Sequence, residues 1–248
     1  MKSILRYIGM KDINLNNYDI NSYKTYCEPF GGSFNTGFRL IEKEYKGKLI
    51  YNDLDKEVVN FWECIKENGE KVYNRFVSLN TILKQYFTDE ERNRTLQIWS
   101  KSEDKFKRAA AEYIYREHIT AEDLKWHFKE ESTELLDMYL TSEMLNEHNV
   151  KINNLDYKDI IQKVNTEDTF IMVDPPYKNC KYNKVYRCNS SKFQHEELAE
   201  ILKDFKGKWL LTYNDNEYIR NLYKEYQIKE VKNQMLGNDY IELHITNK

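Results

Sequence analysis

Asp174-Pro175-Pro176-Tyr177 closes a short apolar run, Phe170 to Val173, and takes two of the three prolines in the chain. Consecutive prolines fix the backbone and withhold two N–H donors, which leaves the local carbonyls to accept hydrogen bonds. The Asp174 carboxylate, the rigid carbonyl of Pro175 and the flat ring of Tyr177 together suit a planar group that carries an NH2. Two acceptors can hold such an amine with its lone pair toward an electrophile while the ring stacks on the rest of the group. Asp-Pro also occurs at ordinary strand exits, so the stretch gains chemical meaning only from what accompanies it.

Its companion is YCEPFGGSF. Here a strand is expected to end at Cys27 and Glu28, Pro29 and Phe30 turn the chain, and Gly31 and Gly32 let backbone approach a ligand with no Cβ between them. The next strand, LIYND, ends in Asp53, about twenty positions after Gly32, the distance at which a carboxylate accepts hydrogen bonds from ribose hydroxyls. Asp55 is the alternative, but the pattern places it in the following turn. The pair points to a cofactor that contains adenosine.

The elements that position these residues fall into three textures. Residues 1–60 hold five of the eight glycines and read as strand, turn, helix, strand. From Asn60 to Asn149 there is no proline and a single glycine, Gly69, and KRAAAEYIYREHI and ELLDMYLTSEML have helical spacing. Strand-like and helix-like pieces alternate again afterwards: FIMVD, HEELAEILKDF, KWLLTYND, EYIRNLYKEY, QIKEV and YIELHITN. A parallel sheet with helices on its faces fits both ends, and a helical block is inserted between them. Asp174 then lies at the carboxyl end of a buried strand, where open α/β sheets place ligands.

These motifs, in this order, resemble the Dam-type (D12 class) DNA adenine N6-methyltransferase family. DPPY is the specific signal. LRYIGMK is similar to the family's N-terminal motif, EPFGGSF to its cofactor loop, NLDYKDII to the segment around the cofactor's adenine, and YIELHITN to its closing strand. The resemblance implies a Rossmann-like, S-adenosylmethionine-dependent methyltransferase sheet from residues 1–60 and 150–248, with a mainly helical target-recognition domain at 61–149. It further implies catalysis through Asp174, Pro175, Pro176 and Tyr177. The cofactor would be held by Tyr7, Lys11, Glu28, Phe30, Gly31, Gly32, Ser33, Asp53, Asp156, Tyr157 and Asp174. The target adenine would be flipped out of double-stranded DNA to reach the pocket. Two departures stand out: Phe34 occupies the position of the family's second loop glycine, and the insert lacks the glycine- and proline-bearing hairpin, so a target sequence does not carry over.

Lys178 to Lys192 contains five basic residues and no acid, interleaved with tyrosines, directly after DPPY. Phosphate and base contacts both favour that composition, which makes Lys178, Lys181, Tyr182, Lys184 and Arg187 the expected DNA contacts. Lys105, Lys107, Arg108 and Arg116 form a second candidate patch at helical spacing, with Arg116 reading a base edge. A net charge of -3 means that any attraction for phosphate is local. Cys180, Cys188 and His195 lack a fourth ligand at zinc spacing, so no metal is expected. Four cysteines without close pairing, no leader pattern and no long apolar stretch lead us to expect a cytoplasmic protein; the sequence offers no argument for its oligomeric state, whether monomer on DNA or weak dimer. Other amine acceptors, namely cytosine N4 in DNA, adenine in RNA or a protein amide, fit a similar motif, as does a DNA-binding regulator that has lost turnover.

Overall fold

The computed structural model describes residues 3–7, 13, 15–86, 88–118, 135–178, 193–235 and 238–247. After two short helical turns, Leu15–Asn17 and Ile20–Ser22, the elements run β1 (Thr25–Glu28), α1 (Asn35–Glu42), β2 (Lys48–Asn52), α2 (Lys56–Leu83), α3 (Asp89–Trp99), α4 (Lys105–His118), α5 (Leu135–Glu147), β3 (Lys151–Asn153), α6 (Tyr157–Lys163), β4 (Thr169–Val173), α7 (His195–Lys203), β5 (Lys208–Asn214), α8 (Glu217–Leu222), β6 (Gln227–Met235) and β7 (Asn238–Thr246). The chain divides into two compact units. The first comprises residues 1–13, 32–44 and 55–154, and the second 14–31, 45–54 and 155–248.

The second unit contributes six strands, in the order β2-β1-β4-β5-β7-β6, to a seven-stranded, mostly parallel sheet. β1 pairs in parallel with β2 and β4, and β4 with β5. Every side chain of β4, TFIMV, is buried, as expected of a central parallel strand covered on both faces. Cys27, Ile171, Val173, Leu211 and Leu243 line one continuous core with Leu198 and Leu202 of α7 and Ile160 of α6. Trp209 belongs to it and donates from Nε1 to the Leu202 carbonyl at 3.0 Å. The strands at the end of the chain depart from the parallel expectation: β7 runs antiparallel to both β5 and β6. β6 ends at Met235 and β7 begins at Asn238, and a parallel return needs a crossover of a dozen or more residues.

Among the described residues of the first unit, the regular elements are helices apart from β3, in line with the helical insert expected from the proline-free stretch. Asp55 caps α2 by accepting from the Glu57 N–H at 3.0 Å, and a reciprocal Thr88–Glu91 capping box starts α3. Helix α2 bends at Asn68, whose backbone is extended (φ −165°) and whose side chain accepts from the Lys71 N–H at 2.8 Å, restarting the helix. Gly69 follows because any Cβ there would strike the carbonyl of Met138 on α5. Phe61, Phe76 and Tyr113 pack between α2 and α4, with Phe76 edge-on to Tyr113 at 4.9 Å.

Phe34 also belongs to this unit. It sits in the left-handed region (φ 54°) just before α1, and its ring is buried over Gly37, where a Cβ would collide with it. The ring meets Phe38 edge-on at 5.5 Å. The missing loop glycine is thus answered by another glycine one helical turn later, which gives the ring its space.

Candidate active site

In the second unit, Asp174 follows β4 immediately, and β5 addresses the segment after it residue by residue. Thr212 Oγ1 donates to Asp174 Oδ1 at 2.5 Å. The Tyr213 ring lies 5.5 Å from that of Tyr177, tilted by 37°. Asn214 Nδ2 donates to the Lys178 carbonyl at 3.4 Å. From β7, Glu242 receives the Tyr177 hydroxyl on Oε1 at 2.9 Å. Thr212 and Glu242 are buried, whereas Asp174 and Tyr177 keep part of their surface open. A carboxylate and an aromatic ring are therefore both fixed from behind and both accessible, the condition for gripping a planar amine.

Behind the ring, Tyr213 shares a 2.7 Å hydrogen bond with His195 Nδ1. Burial raises the Tyr213 hydroxyl well above its ordinary value. His195 is lowered, first by burial and then by Lys178, so an uncharged pair supports the ring side of the site near neutral pH. Lys178 Nζ lies 3.0 Å from the centroid of Tyr218.

The carboxyl ends of β1 and β2 carry the second cluster. Glu28 is buried and accepts from the Tyr26 hydroxyl at 2.9 Å. The Gly31 N–H donates to the Asn52 carbonyl at 2.7 Å, and a Cβ on Gly31 would run into the Tyr51 ring and come within 2.9 Å of that same oxygen. Only glycine fits this turn. Asp53, 8% exposed, follows directly. Asp156 accepts from the Lys158 N–H at 3.0 Å and so caps α6. The Tyr157 ring stacks on Phe30 with centroids 5.3 Å apart, Phe193 closes the triangle, and the Tyr157 hydroxyl donates to Glu197 at 3.0 Å. Burial, then Glu197, pushes that hydroxyl's pKa up.

Asn52 was not singled out by sequence, yet it binds three loops together. Fully buried, it donates from Nδ2 to the carbonyls of Pro29 (2.9 Å) and Leu155 (3.0 Å), and its Oδ1 accepts from the Leu155 N–H at 3.0 Å. The loops bearing Phe30 and Gly31, Asp53, and Asp156 are thereby pinned to one side chain. Thr212, Asn214 and Glu242 were missed as well. Only the position of Glu242 within YIELHITN hinted at more than a strand.

In the first unit, Gly32 has a positive φ of 46°, and the Tyr7 ring lies 3.0 Å from where its Cβ would stand. The Ser33 carbonyl accepts from Ser3 Oγ at 2.5 Å, and the Gly32 carbonyl from Trp62 Nε1 at 3.0 Å. Arg116 corrects the expectation of a surface patch. Its side chain is 4% exposed, its Nε bonds Glu112 at 2.7 Å, its Nη2 reaches Asp55 at 3.4 Å, and its guanidinium covers the Tyr7 ring at 4.5 Å. A side chain held on both faces in this way presents no edge to a base. The neighbouring cations are also engaged: Lys105 with Glu67, Lys107 over Trp99 at 5.7 Å, and Arg108 with the Ser102 carbonyl at 2.7 Å. Lys11, Lys181, Tyr182, Lys184 and Arg187 lie outside the described residues, as do Cys180 and Cys188. Among the described residues, no cluster of His, Cys, Asp and Glu could hold a metal ion, and no helix is long and apolar enough to cross a membrane.

A mostly parallel sheet with an acid-Pro-Pro-Tyr segment after one central strand and a closed glycine turn after its neighbour defines a Rossmann-like methyltransferase. The pattern of the D12 class N6 adenine-specific DNA methyltransferase family matches residues 12–236, and the chain belongs to that family. It is similar to the Type II methyltransferase M.CviBI of Paramecium bursaria Chlorella virus NC1A, with 24% identity over 240 residues that cover 91% of this chain and 88% of the relative. The chain is accordingly a DNA methyltransferase.

Proposed function

We propose that this chain transfers a methyl group from S-adenosylmethionine to the N6 amine of an adenine flipped out of double-stranded DNA. The observation that carries the reading is the Asp174 carboxylate, fixed by Thr212 at 2.5 Å beside a Tyr177 ring that is itself tethered at 2.9 Å. Asp174 and the Pro175 carbonyl accept the two N–H bonds of the amine, which aims its lone pair away from both, and Tyr177 stacks on the base. Adenine fits better than a ribose or a peptide because the two acceptors match an exocyclic NH2 and the ring matches a flat heterocycle.

The residues around Gly31 fit the cofactor. The turn excludes any side chain, as a cradle for close backbone approach must, and two acids, Glu28 and Asp53, stand at the ends of adjacent strands to accept from ribose hydroxyls and an amino group. When bound, the cofactor supplies a methyl group on a cationic sulfur, electrophilic enough that alignment provides most of the acceleration. Asp156 and the ring system of Phe30 and Tyr157 are the residues proposed for its adenine, and Tyr7, Lys11, Gly32 and Ser33 complete the proposed set. Residues 1–60 and 150–248 form the proposed catalytic domain, and 61–149 the recognition domain. The basic segment that opens at Lys178 is the proposed phosphate contact.

Incubation of the protein with methyl-labelled cofactor and unmethylated duplex DNA, followed by nucleoside analysis, tests the reading. Label in N6-methyldeoxyadenosine from the DNA is expected. Label confined to N4-methylcytosine, RNA or protein, or cofactor-dependent DNA binding without any label, would replace it with the corresponding alternative.

A further inference from the structure

Glu242 is an unusual residue for the interior of a sheet. It lies on β7 opposite Asn214 of β5 and is 1% exposed. A carboxylate in such a place costs several kcal/mol unless its oxygens are satisfied. Here Oε1 takes the Tyr177 hydroxyl at 2.9 Å, while Oε2 faces His244 Nε2 at 3.0 Å and Asn233 Nδ2 at 3.4 Å. The two oxygens thus have separate tasks. One is held by the last two strands, and the other reaches out of the sheet to the aromatic residue of the acid-Pro-Pro-Tyr segment.

We infer that Glu242 is a positioning residue for methyl transfer: it fixes the plane on which the target base stacks by anchoring the Tyr177 hydroxyl to β7. The inference rests on the adenine reading above. A ring supported only at Cβ can swing about its side-chain torsions. A second anchor at the hydroxyl, on a strand 65 residues further along the chain, removes that freedom before the base arrives. The Tyr213 ring, 5.5 Å away, restricts the same plane from the β5 side. Any face offered to the base is therefore pre-set, and pre-set geometry acts on turnover more than on DNA affinity, since phosphate contacts dominate the latter.

The test is a double-mutant cycle between Tyr177→Phe and Glu242, read by kcat, by KM for DNA, and by the fluorescence of 2-aminopurine placed at the target position, which reports stacking of the extruded base. Glu242→Ala and Tyr177→Phe are each expected to lower kcat about tenfold with KM for DNA changed less than about twofold. The two losses should coincide rather than multiply in the double variant, and the 2-aminopurine signal should change alike in all three. Glu242→Gln keeps an oxygen able to accept from Tyr177 and should recover most of kcat; it also covers the case in which the alanine variant folds poorly. Losses that multiply in the Tyr177→Phe background, or a Tyr177→Phe enzyme with unchanged kcat, would overturn the inference. A wild-type protein that never labels adenine would instead sink the reading beneath it, so the two failures are distinguishable.

Discussion

The Thr212 hydroxyl, 2.5 Å from Asp174 Oδ1, orients the carboxylate proposed to hold the target amine. Asp174→Ala removes an acceptor of the target amine and should abolish transfer while the protein remains folded. Thr212→Val is the subtler experiment. It preserves shape, removes the Thr212 donor and with it one restraint on the carboxylate; kcat should fall about tenfold, with Thr212→Ser restoring it. Single-turnover assays on both variants check this, and a valine enzyme as fast as wild type would mean that Asp174 is oriented by other partners. The asymmetry between these residues also explains what was legible. Asp174 through Tyr177 are contiguous, so the chemistry proposed for them is suggested by four adjacent letters. Thr212 and Glu242 are single polar letters in strands, and their meaning comes from a register that brings them to partners 38 and 65 positions away. Arg116 failed for the converse reason. Helical spacing groups residues on a face without saying whether that face turns inward, and here Glu112, Asp55 and Tyr7 draw the guanidinium into the interior.

At the scale of elements, the glycine turn after β1 and the acid after β2 matched the strand-turn-helix reading because backbone demands at Gly31 leave a strong local mark. The order of the final strands did not, since QIKEV and YIELHITN carry the same alternation whether they run parallel or antiparallel, and only the shortness of their connection decides. The segments that follow β1 and precede α6 extend beyond the strand ladders, with the Gly31 N–H bond to the Asn52 carbonyl as one backbone tie. Asn52 holds them, and its replacement tests the second unit's half of the cofactor assignment. Asn52→Ala would strip partners from the carbonyls of Pro29 and Leu155 and from the Leu155 N–H. The bond to Pro29 is buried and the two to Leu155 part-buried; orphaning a fully buried group costs about 1–3 kcal/mol and a part-exposed one less, and the loss falls on the loops that carry Phe30, Gly31, Asp53 and Asp156. Cofactor affinity measured by calorimetry should drop at least about tenfold, alongside a lower melting temperature. Asn52→Asp keeps the acceptor for Leu155 but turns a carboxylate oxygen toward two carbonyls in a buried site, and should lose at least as much as the alanine variant. Unchanged cofactor affinity in the alanine variant would show that these loops do not form the cofactor site.

The whole chain carries a net charge of -3, so net charge alone gives DNA no long-range attraction, and selectivity is left to local fit. Short-range fit has a thermodynamic signature: a ligand that binds only the folded protein stabilises it by RT ln(1 + [L]/Kd). S-adenosylhomocysteine, which has the adenosine and amino-acid parts of the proposed donor without its reactive methyl, should therefore raise stability by about 2.7 kcal/mol at roughly a hundred times its dissociation constant. For a chain of this length that is a rise in melting temperature of about 5–10 °C. Asp53→Ala makes the measurement specific to the proposed site. If its carboxylate holds the ribose, affinity falls about tenfold, the stabilisation at the same ligand concentration falls by about 1.4 kcal/mol, and roughly half of the thermal shift disappears. DNA affinity should stay as it was, because the proposed phosphate contacts start at Lys178 and not at β2. A thermal scan in which wild type and Asp53→Ala shift equally would remove Asp53 from the cofactor site, and the glycine turn beside it would then have to be explained by packing against Tyr51 alone.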